Sequence, residues 1–167
     1  MSSTQPVIFT QQKRPFATSA IALQAIIVNE DGRVLLLNSP TRNQGWQVIS
    51  GALEAGETIL DGTLREVREE VGNAQVRPLG VVHSQTFHYD EAVPFMVGIY
   101  YLLAYEGGKI VPGDDMSGSA FRWWSLDELT QDHLHLHPST IPWMLRRAVD
   151  LYRLWQNEGE RPLQPKI

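Results

Sequence analysis

The chain contains no cysteine. Disulfide frameworks, thiolate zinc sites and cysteine nucleophiles are therefore excluded, and any bound metal must use oxygen or nitrogen ligands. The absence of thiols is also compatible with a reducing compartment.

Long apolar runs and basic charge are scarce as well. No run approaches the roughly 18–20 apolar residues that cross a bilayer, and the first twenty residues lack the apolar core of a secretory signal. The formal net charge is -5, whereas a nucleic-acid backbone is bound by clustered Lys and Arg. We therefore expect a soluble cytoplasmic protein that binds neither a membrane nor a nucleic-acid duplex, and that needs a cation to hold an anionic substrate.

The length of 167 residues suits one domain. We expect this domain to span residues 20–158. The polar, proline-bearing ends are predicted to be an N-terminal arm at 1–19 and a C-terminal tail at 159–167, frayed or extended. The arm is suited either to substrate binding or to exchange in a homodimer, and the sequence does not choose between them.

Hydrophobic patterning predicts a sheet with three helices. A helix should begin near Thr58 and end at Gly72, a short one should follow Ser125, and a last one should run from Pro142 to about Asn157. Apolar and β-branched runs predict strands at 20–29, 33–37, 46–50, 76–87, 93–105, 109–111 and 120–124.

Three glutamates are clustered on the first helix. At about 100° per residue, Glu66, Glu69 and Glu70 fall in an arc of roughly 100°, away from the apolar stripe, on what should be an exposed face. Two such carboxylates about 5 Å apart repel by roughly 3 kcal/mol, so the cluster favours a hard cation such as Mg²⁺ or Mn²⁺. The alternative is a solvated acidic face with local ion pairs to Arg65 and Arg68.

The segment 51–72, GALEAGETILDGTLREVREEVG, decides between these readings. It resembles the Nudix box, which reads Gly, five residues, Glu, seven residues, then Arg-Glu-apolar-x-Glu-Glu-x-Gly. The matching positions are Gly51, Glu57, Arg65, Glu66, Val67, Glu69, Glu70 and Gly72. Departures occur at Ser50 and Asn73, and neither removes a ligand. The resemblance implies an α/β fold, a Nudix-type α/β/α sandwich around a mixed β-sheet.

The resemblance also implies roles for the matched residues. Glu66 and Glu70 would coordinate Mg²⁺, with Mn²⁺ as the alternative, assisted by Glu69 and the backbone carbonyl of Gly51. Glu57 and Arg65 would pair and fix the loop against the helix, although a purely structural salt bridge is equally compatible with the sequence.

The implied reaction is attack of water on one phosphorus of a diphosphate linkage. Glu66 is our preferred general base. A carboxylate on a later loop, Asp114 or Asp115, is the alternative.

The sequence indicates the substrate less clearly than the reaction. Trp46 and Tyr89 are the candidates for stacking on a nucleotide base, with Phe87, Trp123 and Trp124 also available. The ADP-ribose branch of the family tends to carry a proline where this chain has His88 and Tyr89. We therefore favour a nucleoside triphosphate or dinucleoside polyphosphate over ADP-ribose or another ADP-sugar.

The sequence gives weaker support to a histidine metal site and to two other functions of the same fold. His133, His135 and His137 could bind a metal if their segment were extended, but a solvated connector is preferred. A Nudix-fold sensor that binds a nucleotide without cleaving it is the alternative function. An isomerase of the same fold is disfavoured because those enzymes use a cysteine.

Overall fold

A six-stranded mixed sheet forms the centre of the structure. The computed structural model describes residues 5–40, 45–113, 116–131 and 134–156. The strands are β1 (Val7–Phe9), β2 (Pro15–Ala17), β3 (Ala20–Val28), β4 (Val34–Asn38), β5 (Ile49–Ala52), β6 (Gln75–Phe87), β7 (Met96–Gly107) and β8 (Ala120–Trp124). The helices are α1 (Ile59–Val71), α2 (Leu126–Leu129) and α3 (Pro142–Trp155).

Strand β3 is the centre of this sheet. It pairs in parallel with β7 from Ala20 opposite Met96 to Val28 opposite Ala104, and antiparallel with both β4 and β5. The strand order is β6-β7-β3-β4-β8, with β5 paired to β3 off this path. A strand with neighbours on both sides and cover on both faces is expected to be mostly apolar, which explains the composition of β3, where Gln24 is the one polar residue.

Helices cover both faces of the sheet. Ile26 and Val28 pack into a core cluster that includes residues of α3, whereas Ala25 and Ile27 pack into a second cluster that includes residues of α1. Successive strand residues point to opposite faces, so β3 supplies both cores. The predicted α/β/α sandwich around a mixed sheet is confirmed.

The predicted elements agree closely with those observed. Thr58 caps α1 by accepting a hydrogen bond from the backbone N–H of Asp61, and Gly72 ends the helix with a φ of 70°. Ser125 and Glu128 form the predicted capping box of α2, and Pro142 occupies the first turn of α3. No helix in the described ranges is long and apolar enough to span a bilayer.

Two predicted strands need correction, and the N-terminal arm contains a hairpin. Residues 1–19 were predicted to be an arm or a frayed tail, and within them β1 and β2 pair as an antiparallel hairpin, with Ile8 and Phe9 more than half exposed. No strand forms at 109–111, where Ile110 makes only an isolated bridge to Gly72. The strand predicted at 46–50 is instead β5 at 49–52, with Trp46 and Gln47 in isolated bridges to Leu136 and Leu37. The tail 159–167 lies outside the described residues, as does Asn157, the predicted end of the last helix.

Alanine substitutions at Gly108 and Gly118 distinguish the cost of steric crowding from the cost of backbone strain. Gly108 has φ 88°, and an added Cβ would lie 2.1 Å from the carbonyl oxygen of Asn73. Gly118 has φ 76°, but an added Cβ would meet nothing within 4 Å. Both alanine substitutions should cost the roughly 1–2 kcal/mol of a left-handed residue, and G108A should cost at least 1 kcal/mol more because backbone must move. Urea unfolding measures both, and equal losses would contradict the crowding at Gly108.

Candidate active site

Helix α1 buries two of its three clustered glutamates. Glu66 is 9% exposed and Glu70 is 2% exposed, whereas the Glu69 side chain is 40% exposed. The expectation that all three share an exposed face is therefore wrong. Glu70 lies only about 60° around the helix from Val67, so the face that packs on the sheet includes it.

Small residues on α1 make this burial possible. Gly62 and Thr63 lie one turn before Glu66 and are buried on the same face. An added Cβ at Gly62 would lie 2.7 Å from Cδ1 of Leu23 on β3, so a larger residue would require the Leu23 side chain to shift or α1 to move away from the sheet. The spacing of Gly62, Glu66 and Glu70 at every fourth residue was the sequence signal for a buried glutamate row.

Gly51 on β5 provides the space for the Glu66 carboxylate. An added Cβ at Gly51 would lie 2.0 Å from Cδ of Glu66, so the carboxylate could not keep this position beside any larger residue. On the adjacent residue, the backbone N–H of Ser50 donates to Oε2 of Glu70 at 3.4 Å. Both buried carboxylates therefore lie directly against β5, as expected if the Gly51 carbonyl is to share a ligand with them.

The Arg65 guanidinium joins the loop, the strand and the helix. It forms a two-pronged ion pair with Glu57 at 2.8 and 3.1 Å, which confirms the predicted pairing. It also donates to Glu66 at 2.6 Å, to Glu69 at 2.9 Å and to the carbonyl of Ala52 at 2.9 Å. One cation thus serves three carboxylates, so the site carries an excess of negative charge.

The protonation equilibria reflect this arrangement. Burial raises the pKa of Glu66 above its usual range, and the hydrogen bond from Arg65 only partly offsets that effect. The hydrogen bond from Arg65 lowers the pKa of Glu57, and the same bond raises the pKa of Arg65. A further positive charge near Glu66 would therefore favour its ionised form.

The set of ligand atoms at this site is of the kind that binds a hard divalent cation. It offers carboxylate oxygens and a carbonyl oxygen without sulfur or nitrogen ligands, and it has an unbalanced negative charge. In this arrangement Arg65 lies between Glu66 and Glu69, and within the described parts of the chain no three His, Asp or Glu side chains converge as a metal-binding group. The fit of Glu66, Glu69, Glu70 and Gly51 to a metal thus rests on charge and ligand type.

A cavity of about 810 Å³ opens beside these residues. Ser50, Gly51 and Ala52 line it, and Phe87 and Tyr89 are among its aromatic lining residues. This volume lies in the range of small-molecule sites, about 300–1,000 Å³. Tyr89 is 63% exposed, so its predicted role in stacking on a base is compatible with its position.

Trp46 lies elsewhere. Its ring packs edge-on against Trp124 with centroids 5.0 Å apart, and it lines a separate, smaller cavity with Arg122 and His135. Side chains alternate along an extended segment, so the neighbouring Gln47 faces the larger cavity. The placement gives no support to Trp46 as a contact for a substrate beside Gly51.

Several polar residues that line the larger cavity were not predicted from the sequence. Gln85 donates to the Tyr100 hydroxyl at 3.2 Å, and Ser139 donates its backbone N–H to Nδ1 of His137 at 3.1 Å. Gln24 lies on β3 and is buried. Gln24 could have been identified from the sequence, because it is the polar residue inside the apolar run of β3. The loop at 137–139 could not, because it comes from a distant part of the chain.

Some candidates cannot be placed. Asp114 and Asp115, the alternative general bases, and His133 lie outside the described residues. Nearby, Gly113 lies close to the active helix, because its backbone N–H donates to the carbonyl of Glu70 at 3.1 Å.

The fold and the glutamate site together define a class of protein. The NUDIX domain family matches residues 18–144, which include the whole of the site and all six strands of the central sheet. The chain belongs to the Nudix hydrolase family, the hydrolases of nucleoside diphosphate derivatives.

Particular relatives carry more specific names. The NAD-capped RNA hydrolase NudC of Pseudomonas aeruginosa is 33% identical over 141 residues, covering 84% of this chain and 46% of that protein. The NudC of Vibrio parahaemolyticus is 32% identical over 62% of this chain and 38% of its own. The chain thus spans less than half the length of these relatives.

Solved structures show the same fold. An ADP-ribose pyrophosphatase from Streptococcus suis aligns with a TM-score of 0.63 at 22% identity, covering 81% of this chain and 93% of that one. A MutT protein from Methanosarcina mazei aligns with a TM-score of 0.60 at 23% identity, covering 78% and 92%.

The contact between Gly51 and Glu66 predicts the effect of one methyl group. G51A should displace the Glu66 carboxylate and reduce diphosphate hydrolysis about a hundredfold or more, because a misplaced catalytic group costs on that order. G56A is the control for a methyl group without a contact, since an added Cβ at Gly56 meets nothing within 4 Å; its φ of 89° adds a backbone strain that G51A does not carry. Steady-state rates and circular dichroism of both folded variants test this, and equal rates would contradict it.

Proposed function

We propose that this protein hydrolyses a diphosphate linkage in a nucleoside diphosphate derivative, in a reaction that depends on Mg²⁺ or Mn²⁺. The observation that carries the proposal is the burial of Glu66 and Glu70 against Gly51, which lines the 810 Å³ cavity. Buried carboxylates in such a group are costly unless a cation compensates them. A diphosphate substrate brings further negative charge to the same place.

Glu66, Glu69, Glu70 and the carbonyl of Gly51 would hold the cation. When bound, the metal supplies Lewis acidity that neutralises the phosphoryl oxygens and lowers the pKa of water. Glu57 and Arg65 act as positioning residues, because their two-pronged pair and the bond from Arg65 to Ala52 hold the loop, β5 and α1 together. Glu66 accepts the proton of the attacking water at its carboxylate.

The cavity orients the rest of the substrate. Phe87 and Tyr89 offer ring faces for a nucleotide base, while Ser50 and Gly51 line the cavity next to the glutamates. Since the glutamates contact only the diphosphate in this scheme, the reaction follows the linkage more than the groups attached to it.

The residues His88 and Tyr89 and the names of the relatives favour different substrates. His88 and Tyr89 favour nucleoside triphosphates or dinucleoside polyphosphates over ADP-ribose. The relatives named as NAD-capped RNA hydrolases add nicotinamide dinucleotides and RNAs carrying them as candidates. We place the nucleoside polyphosphates and the dinucleotides ahead of ADP-ribose.

A substrate panel with and without metal tests the function. The purified protein is incubated with nucleoside triphosphates, diadenosine polyphosphates, NAD, NAD-capped RNA and ADP-ribose, and the products are separated by chromatography. Mononucleotide products should form with Mg²⁺ or Mn²⁺ and disappear in excess chelator, because Arg65 is already paired with Glu57, Glu66 and Glu69 and the substrate adds further negative charge. Full turnover in chelator with metal content checked would refute metal dependence. No cleavage by the metal-loaded, folded protein would favour a nucleotide sensor.

The identity of the general base has its own test. At saturating metal, E66Q should reduce kcat about a thousandfold or more, since base catalysis and charge stabilisation are lost together. D115N should reduce it less than tenfold if Glu66 is the base. Metal affinity is measured alongside for E70Q, which should weaken it. A loss for D115N that exceeds the loss for E66Q would move the base to the loop.

A further inference from the structure

One face of the central sheet forms the floor of the 810 Å³ cavity beside Gly51. A row of paired residues crosses this face from β6 through β7 and β3 to β5, namely Gln85, Gly98, Ala22 and Ala52. Neighbouring strands lie about 4.8 Å apart, so Gln85 is roughly 14 Å from Ala52. The floor is therefore long enough for a nucleotide whose diphosphate lies at β5 and whose base lies at β6.

Gly98 lets an aromatic ring lie across this floor. A Cβ added at Gly98 would lie 3.2 Å from Cε1 of Phe87 and 3.5 Å from Cε2 of Tyr100, so the Phe87 ring packs over the glycine. Gln85 and Phe87 are two residues apart on β6, and their side chains point to the same face about 7 Å apart. A planar base stacked on the Phe87 ring would present its edge to Gln85.

A chain of hydrogen bonds sets the orientation of the Gln85 carboxamide. The backbone carbonyl of Ser139 can only accept, so the Tyr100 hydroxyl donates its single proton to it, at 3.5 Å. Burial raises the pKa of Tyr100, so this proton stays in place at neutral pH. The hydroxyl in turn accepts from Nε2 of Gln85 at 3.2 Å. The direction of this chain leaves Oε1 of Gln85 as the atom for a further partner.

Oε1 of Gln85 is an accessible acceptor. Gln85 is partly exposed and lines the cavity. Within the parts of the chain that the structure describes, its carboxamide makes only the bond from Nε2 to Tyr100. Oε1 of Gln24, on the same floor, is instead fully buried and out of reach of a ligand. The cavity therefore offers a fixed acceptor beside the Phe87 ring.

We propose that Gln85 recognises the exocyclic amino group of adenine, and that Tyr100 is the positioning residue that sets this preference. The base stacks on Phe87, and its amino group donates to Oε1 of Gln85. Hypoxanthine has a carbonyl oxygen in the same place, which would face the glutamine oxygen with no proton between them. The assignment rests on the proposed function for the position of the diphosphate near Gly51, and it narrows the substrates to adenine nucleotides.

Binding of AMP and IMP tests the assignment without any hydrolysis. Each is titrated into ¹⁵N-labelled full-length protein, and the side-chain amide resonances of Gln85 are identified by their loss in Q85L. AMP should shift these resonances and bind about tenfold more tightly than IMP, because only AMP supplies the hydrogen bond. Equal affinities, or no saturable binding of either nucleotide, would overturn the assignment. Hydrolysis is measured separately, so its failure would not produce either result.

The Gln85 variant has a matched control on the same strand. Q85L should reduce the affinity for AMP to that for IMP, because the acceptor is lost. Thr86 is exposed and points to the opposite face of β6, so T86A should leave both affinities unchanged. Equal effects of Q85L and T86A would overturn the role of Gln85.

A second pair of variants tests the positioning role of Tyr100. Y100F frees the Gln85 carboxamide to rotate and donate to the hypoxanthine oxygen, so the ratio of the AMP and IMP affinities should fall from about tenfold towards one. Tyr101 lies in the other core cluster, and Y101F should keep the ratio. A general loss of affinity in Y100F with the ratio preserved would overturn the positioning role.

Nicotinamide mononucleotide separates adenine from the other amide-bearing ring of a nicotinamide dinucleotide. Its carboxamide also carries an NH₂ donor, whereas nicotinate mononucleotide carries a carboxylate in that place. We expect Q85L to change the affinity for neither of these two compounds. Binding of nicotinamide mononucleotide that is tighter than that of AMP and is lost in Q85L would overturn adenine as the ring that Gln85 recognises.

Discussion

The site depends on the hydrogen bonds and ion pairs that the Arg65 guanidinium makes. The guanidinium contacts Glu57 in the loop, the carbonyl of Ala52 on β5, and Glu66 and Glu69 on α1. Three structural elements are therefore held by one side chain whose planar group has donors in fixed directions. Lysine could supply the charge but not this set of simultaneous bonds. Because Arg65 is shared by Glu57, Glu66 and Glu69, the same side chain that orders these elements leaves the group of four with a net negative charge.

Close backbone approach is the second constraint, and glycine meets it at the points where elements touch. Gly62 lets α1 approach β3, and Gly51 leaves room for the Glu66 carboxylate. Gly45 lets its segment approach the backbone carbonyl of His135. In each case a single methyl group would overlap a neighbouring atom: a side-chain end that would have to be displaced at Gly51 and Gly62, and backbone at Gly45.

The order of strands and helices could be predicted because periodicity is local. The apolar run of β3, the Thr58 cap and the capping box of Ser125 and Glu128 all agree with the structure. The burial of Glu66 and Glu70 was missed because a charged residue was assumed to face solvent, although Gly62 and Thr63 lie on the same helical face. The position of Trp46 was not accessible to local reasoning, since it depends on a bridge to Leu136. The pairing of Glu57 with Arg65 was predictable only from the resemblance of the motif.

The parallel pairing of β3 with β7 has a consequence for synthesis of the chain on the ribosome. Ala20 pairs with Met96 and Val28 with Ala104, so one edge of an almost wholly apolar strand has no partner until β7 has been translated. Strands β4 and β5 can pair with β3 earlier, because they follow it closely in the chain. Nascent chains that pause before β7 would expose an apolar edge of the kind that pairs between molecules. The interval between translation of β3 and β7 is therefore when this protein most needs chaperone protection.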